Sequence, residues 1–205
     1  MAERLFLIRH GRTAWNAQGR VQGWADVPLD EVGREQARRL AERLRGDHPD
    51  LILCSPLWRA YETAQILAAA WKVPVEVDER LKERGQGPLE GRTGVEIEAL
   101  RRAWRQFEEN PTAEIEGVEP RAAFAARVWA AMQAAMARPE RRLAIVAHGG
   151  TFSAFFRQWL GLPLDQPSPF QFDNASLTEL VLQDGRWRVQ RLNDTCHLVG
   201  GPLNP

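Results

Sequence analysis

The chain has 205 residues, 44% apolar and 26% charged, with 27 basic and 27 acidic side chains. That length can bury a sizeable core as one domain over residues 1–205, and a net charge of zero supplies no overall field to recruit nucleic acid or anionic lipid. Cys54 and Cys196 match no zinc or redox spacing, no apolar run approaches a membrane span, and the opening run is too short for a signal-peptide core; the expectation is a cytoplasmic protein.

Short apolar runs alternate with helical patterns along the chain. "RLFLI" reads as a first strand. In "DEVGREQARRLAERLRG", Val32, Ala37, Leu40, Ala41 and Leu44 share one helical face, with Asp30 as N-cap and Gly46 as stop. "DLILC" is a second strand and "LWRAYETAQILAAAW" the next helix; "VEV" after Pro74 is a third strand. Helices are predicted around "GVEIEALRRAWRQFEE" and "PRAAFAARVWAAMQAAMA", a fourth buried strand at "RLAIVA", and another helix at "GGTFSAFFRQWLG". "SLTELVLQDGRWRVQRL" reads as two alternating strands turned at Asp184-Gly185. Strands alternating with helices predict an α/β fold: a mostly parallel sheet covered on both faces, with the hairpin adding antiparallel strands at one end.

Ligands of open α/β sheets bind beyond the carboxyl ends of the strands, so the residues at each strand exit are the candidates. After the first strand come Arg9, His10 and Gly11. After the second comes "SPLWRA", with Arg59 in a first helical turn. "DERLKERGQGPLEG" follows the third and holds Glu83; "HGGT" follows the fourth, with His148 at a helix start. Each motif alone is commonplace; their joint occurrence at four exits points to an anion site. A guanidinium is a permanently charged planar fork suited to phosphate oxygens. The helix start at Gly149-Gly150 leaves unpaired N–H groups that favour an anion. A neutral histidine is a nucleophile, and nearby arginines keep it neutral. A carboxyl at the mouth can protonate a leaving oxygen and later take a proton from water. Together these are the parts of phosphoryl transfer through a phosphohistidine. A metal site is less attractive, because the arginines beside both histidines would repel a cation.

"RHGRTAWN", "GRVQGWADVPLDEVGREQA", "CSPLWRAYETA", "LKERGQGPLEG" and "VAHGGT" together resemble the histidine phosphatase superfamily, which includes the cofactor-dependent phosphoglycerate mutases. The resemblance spans Leu5 to about Leu180 and implies a three-layer α/β/α sandwich. By motif position it implies His10 as nucleophile, Arg9, Arg59 and His148 gripping the phosphoryl oxygens, and Glu83 as general acid and base. Asn16, Gln22, Gly23 and Gly149 would complete the substrate contacts. The activity implied is hydrolysis of a small phosphate ester without metal or organic cofactor.

Two features bear on the reaction. Many relatives have an acidic residue where this chain has Arg12, which here adds a cation near the mouth. Gly150 follows the phosphatase branches, whereas mutases more often carry asparagine, and the segment from Asn110 to Pro120 is short. A mutase must shield its phosphohistidine from water, so a short cover favours hydrolysis; "ERGQG" partly resembles the mutase stretch and keeps that alternative open. A non-catalytic phospholigand- or protein-binding module on the same scaffold is the third reading, and Glu83, which a binder would not need, counts against it. Trp58, Trp71, Trp129 and Trp159 are expected to pack in the core, and Trp104 and Phe107 either to pack or to wall the leaving-group pocket. Glu108, Glu109, Glu114, Glu116 and Glu119 are expected to form a solvated edge. His48 and His197 are expected to be surface or structural residues. The C-terminal hairpin and "GGPLNP" offer an edge, a lid or a homodimer contact.

Overall fold

The computed structural model describes residues 1–103, 115–164, 166 and 168–199. Trp104, Phe107, Glu108, Glu109, Glu114 and the "GGPLNP" tail lie outside the described residues. In chain order the elements are β1 (Arg4–Arg9), α1 (Ala14–Ala17), α2 (Glu31–Arg43), β2 (Leu51–Cys54), α3 (Trp58–Trp71), β3 (Val75–Val77), α4 (Gly94–Ala103), α5 (Arg121–Met136), β4 (Arg142–Ala147), α6 (Gly149–Trp159), β5 (Leu177–Gln183) and β6 (Arg186–Asp194). The strands form one sheet in the order β3-β2-β4-β1-β5-β6. β1, β2, β3 and β4 are parallel to their neighbours in that group, and β5 and β6 continue the sheet antiparallel.

The apolar runs are continuous because both faces of the sheet are covered. Alternate residues of β1 go to opposite sides. Leu5 and Leu7 join Phe124, Val128 and Met132 of α5 and Phe152, Phe155 and Phe156 of α6 in one core cluster. Phe6 and Ile8 join Leu40 and Ala41 of α2 and Ala60, Ala64 and Leu67 of α3 in the other. This is the three-layer α/β/α arrangement implied by the sequence. Asp30 caps α2 through Oδ1, which accepts from Gly33 N–H at 2.7 Å. At the hairpin, Asp184 and Gly185 both take positive φ, +51° and +71°, as a two-residue turn matched to strand twist requires.

Two glycines let β1 run close under α2. A Cβ on Gly11 would stand 2.4 Å from the Gly33 carbonyl oxygen, and one on Gly33 would stand 2.1 Å from the Arg12 carbonyl oxygen. The apolar strand therefore ends in glycine because two backbones touch there. The tryptophans divide. Trp71 is buried and its indole N–H donates to the Ala41 carbonyl at 2.9 Å; Trp129 and Trp159 stack on Phe155. Trp58, expected in the core, is 47% exposed. It opens α3, where its backbone N–H is anchored by Asp26 at 2.6 Å and its ring rests beside Tyr61.

Candidate active site

The carboxyl end of β1 delivers His10 into a fixed backbone. Its N–H donates to the Ala147 carbonyl at 3.0 Å, and its carbonyl accepts from Ala175 N–H and Asn174 Nδ2, both at 3.1 Å. Thr63 Oγ1 accepts the next N–H, that of Gly11, and donates to the Arg59 carbonyl. The imidazole is almost fully buried, with Nδ1 2.7 Å from the Gly11 carbonyl oxygen. A carbonyl only accepts, so Nδ1 carries the hydrogen and the lone pair lies on Nε2, a tautomer assigned from the hydrogen-bond network. Burial first, then the charges of Arg59 and Arg9, hold this ring well below the usual histidine pKa. At neutral pH His10 is an uncharged imidazole with its basic nitrogen free.

Two arginines stand around it. Arg59, 1% exposed, donates from Nη1 to the Ala25 carbonyl at 2.9 Å and from Nη2 to the Gly23 carbonyl at 2.8 Å. Burial lowers its pKa to about 10, which leaves it charged at neutral pH. Arg9 donates through Nη1 to the Phe172 carbonyl. In both, Nε is buried without a hydrogen-bond partner. Buried N–H groups are nearly always paired, and an anion would satisfy these.

His148 caps α6, and its ring centroid is 5.2 Å from that of His10. Ser55 Oγ lies 2.8 Å from its Nε2 and already accepts from Leu57 N–H. His148 Nδ1 is buried with no hydrogen-bond partner among the described residues. Burial, then Arg59 and His10, push its pKa well below the ordinary value.

Glu83 comes from the loop after β3. Its Oε2 accepts from Gly150 N–H at 2.9 Å and its Oε1 from Arg84 N–H at 2.8 Å. Gly150 leaves room for that carboxylate, since a Cβ there would meet Oε1 at 2.2 Å. The loop is clamped from behind. The Glu83 carbonyl accepts from Trp24 Nε1 at 2.7 Å and Arg127 Nη2 at 2.8 Å, and Arg127 Nη1 also binds the carbonyls of Arg80 and Lys82. Arg127 is in turn paired with both oxygens of Glu119. Glu119, expected on a solvated edge, is therefore a half-buried counter-ion, because α5 sets Arg127 beside it.

Arg9, His10, Asn16, Gln22, Gly23, Arg59, Glu83 and Gly149 line one cavity of about 340 Å³. All eight were expected there, and His148, the ninth, packs on His10. Sequence reasoning missed Arg20, Val21 and Gln86 in the same wall. It also missed the supports Ser55, Thr63, Asn174 and Arg127; Asn174 precedes an antiparallel strand, outside the search of parallel strand exits. Arg12, expected near the mouth, is outside this lining. Its Nε donates to Asp30 Oδ2 at 2.8 Å and its N–H to Gln36 Oε1 at 2.9 Å, so it is tied to α2.

A three-layer sandwich whose strand exits gather a neutral imidazole, two arginines with unpaired N–H groups and a fixed carboxylate defines an α/β protein built to hold a phosphate-like anion. The chain belongs to the histidine phosphatase superfamily (branch 1), whose model matches residues 5–195. It is 32% identical over 203 residues to the probable phosphoglycerate mutase GpmB of Proteus mirabilis, covering 95% of this chain and 94% of that one. Among solved structures, Bacillus stearothermophilus YhfR superposes with a TM-score of 0.84 at 32% identity, covering 96% of this chain and 99% of that one. A mycobacterial glucosyl-3-phosphoglycerate phosphatase complexed with VO3 gives a TM-score of 0.79 at 37% identity, covering 94% and 99%. The superfamily is catalytic, with phosphatases and mutases among these relatives. No helix of the described residues is long and apolar enough to cross a membrane.

Proposed function

We propose that the protein hydrolyses small phosphomonoesters through a phosphohistidine at His10, as one domain working in the cytoplasm. The observation that carries this reading is the His10 ring. Its Nδ1–H is held on the Gly11 carbonyl, which leaves Nε2 as the nucleophile in a cavity bounded by Arg9 and Arg59. Nε2 attacks phosphorus in line and the ester P–O bond breaks. Arg9 Nε and Arg59 Nε, unpaired in the free protein, hold the non-bridging oxygens with His148, whose ring lies beside that of His10, as charge spreads over them, the main contribution a protein can make to this reaction. Glu83 in its protonated form gives its proton to the departing alkoxide. As carboxylate it then removes a proton from water. The water oxygen bonds to phosphorus, the N–P bond breaks, and inorganic phosphate and neutral His10 result.

The mutase reading is favoured by the name of the Proteus mirabilis relative. It shares every step to the phosphoenzyme and differs in whether water or a second hydroxyl takes the phosphoryl group. One assay separates them: free phosphate release from a panel of esters, with isomerisation of 3-phosphoglycerate followed in parallel. Release without isomerisation is expected. Isomerisation without release would establish the mutase, and neither would leave a phospholigand- or protein-binding module. His10→Ala should abolish turnover and the acid-labile, base-stable phosphoenzyme; turnover by that variant would remove His10 from its role.

A further inference from the structure

The segment 172–176, which leads into β5, touches the site from behind at Arg9, His10 and Asn16. The Phe172 carbonyl accepts from Arg9 Nη1, the Ser176 carbonyl accepts from Arg9 N–H at 3.3 Å, and Ala175 N–H donates to the His10 carbonyl at 3.1 Å. Among them Asn174, 8% exposed, donates from Nδ2 to the His10 carbonyl at 3.1 Å and to Asn16 Oδ1 at 3.3 Å. Ala175 is fully buried with φ +55°, in the left-handed region that side chains other than glycine seldom take. Asp173 is tied to Asn193 of β6 in both directions: its N–H donates to Oδ1 and its Oδ2 accepts from Nδ2, each at 2.7 Å. Such backbone persists only where its surroundings over-determine it, and it gathers at functional sites. Asn174 is outside the lining of the phosphoryl cavity, and no step of the proposed reaction uses it.

We infer that Asn174 is a positioning residue for phosphoryl transfer, which holds Asn16 so that its amide N–H groups, and not its oxygen, face the phosphoryl group. The orientation follows from the donors. Asn174 Nδ2 faces the carbonyl oxygens of His10 and Gly11, groups that only accept, so its amide sits one way round. The Asn16 atom opposite is then its oxygen, and Thr13 N–H, which only donates, meets the same atom at 3.1 Å. With Oδ1 turned onto two donors, Nδ2 is the atom left for the cavity that Asn16 lines. Arg9, Arg59 and Asn16 then offer the phosphoryl oxygens donors alone, as an anion requires. The same Asn174 nitrogen grips the carbonyl of the nucleophile, so one amide sets both His10 and the donor beside it. The inference rests on the phosphoryl reading of the cavity for its ligand; the contacts themselves do not depend on it.

The test is a double-mutant cycle on the binding of inorganic phosphate, measured by calorimetry for the wild type, N16A, N174A and the N16A/N174A double variant. N16A should weaken phosphate about tenfold, the worth of a charge-assisted hydrogen bond. N174A should weaken it about fivefold where Asn16 is present and leave it unchanged where Asn16 is absent, because the two act as one unit. A merely structural loss would weaken phosphate equally in both backgrounds, and that result would overturn the inference. So would wild-type affinity in N174A, or a wild type that binds no phosphate. N174D keeps the volume and sets an oxygen against Asn16 Oδ1, so it runs the same cycle should N174A fail to fold. Its loss should be larger with Asn16 than without, and equal losses would overturn the role. Phosphate release from alkyl esters by the wild type, measured alongside, separates the two ideas. Coupling without release removes the hydrolase and leaves Asn174 its role; release without coupling does the reverse.

Discussion

Gly150→Ala isolates the proton-transfer role of Glu83 from folding. The new Cβ would lie 2.2 Å from Oε1, 2.8 Å from Cδ and 2.9 Å from Oε2 of Glu83. The carboxylate must retreat by about 1.2 Å to reach an ordinary contact of 3.4 Å, and in doing so gives up its 2.9 Å bond from Gly150 N–H. The clash falls on the end of a flexible side chain, so the backbone need not move. Gly150 lies in helical backbone without a positive φ, where alanine is favoured by about 0.5–1 kcal/mol. Thermal stability should hold or rise slightly. A misplacement near 1 Å costs about 10²-fold, within the range for a lost general acid, or about 2.7 kcal/mol in the barrier. The loss should depend on the leaving group. An alkoxide needs the proton of Glu83, whereas p-nitrophenolate departs without one. Stopped-flow measurement should show a p-nitrophenolate burst of about one equivalent per site in Gly150→Ala, with slow turnover afterwards, while alkyl phosphates lose about 10² in kcat/KM. Alkyl phosphate hydrolysis at the wild-type rate would refute the placement of Glu83 against Gly150.

His10 and His148 are held neutral well below the ordinary histidine pKa, chiefly by burial, and His197 is pushed down to about 4 by burial and Arg43. Below about pH 6.5 the unfolded chain takes up protons that the folded one refuses, so this stability is present above pH 6.5 and lost as pH falls, by up to about 1.4 kcal/mol per unit for each ring. Melting at pH 7 and pH 5 should show it, with a shallower slope in His10→Gln; a flat wild-type profile would contradict neutral imidazoles. Arg127→Met strands the Glu119 carboxylate, 12% exposed, and removes a donor from the carbonyls of Arg80, Lys82 and Glu83. A loss of about 3 kcal/mol in urea unfolding and slower alkyl ester turnover are expected; wild-type stability would show that the clamp is dispensable. Gly33→Ala drives a Cβ to 2.1 Å from a backbone oxygen that cannot swing aside. It should cost about 3 kcal/mol, read as a lower urea midpoint.

The elements were legible because they rest on local periodicity. Four apolar residues in a row, the face shared by Ala37, Leu40 and Ala41, and the Asp184-Gly185 turn are each decided within a few neighbours. The site was legible because parallel strands send their exits to one edge, so Arg9, Arg59, Glu83 and His148 could be found without knowing a single distance. What depends on partners on another element was not. Arg12 read as a free cation until α2 supplied Asp30, and Glu119 read as solvated until α5 supplied Arg127. Ser55 Oγ, 93 residues from His148, meets its Nε2 only in the folded chain. Sequence pattern reports which side of an element is apolar; whether a buried polar atom is satisfied depends on groups that only tertiary packing brings within hydrogen-bond reach.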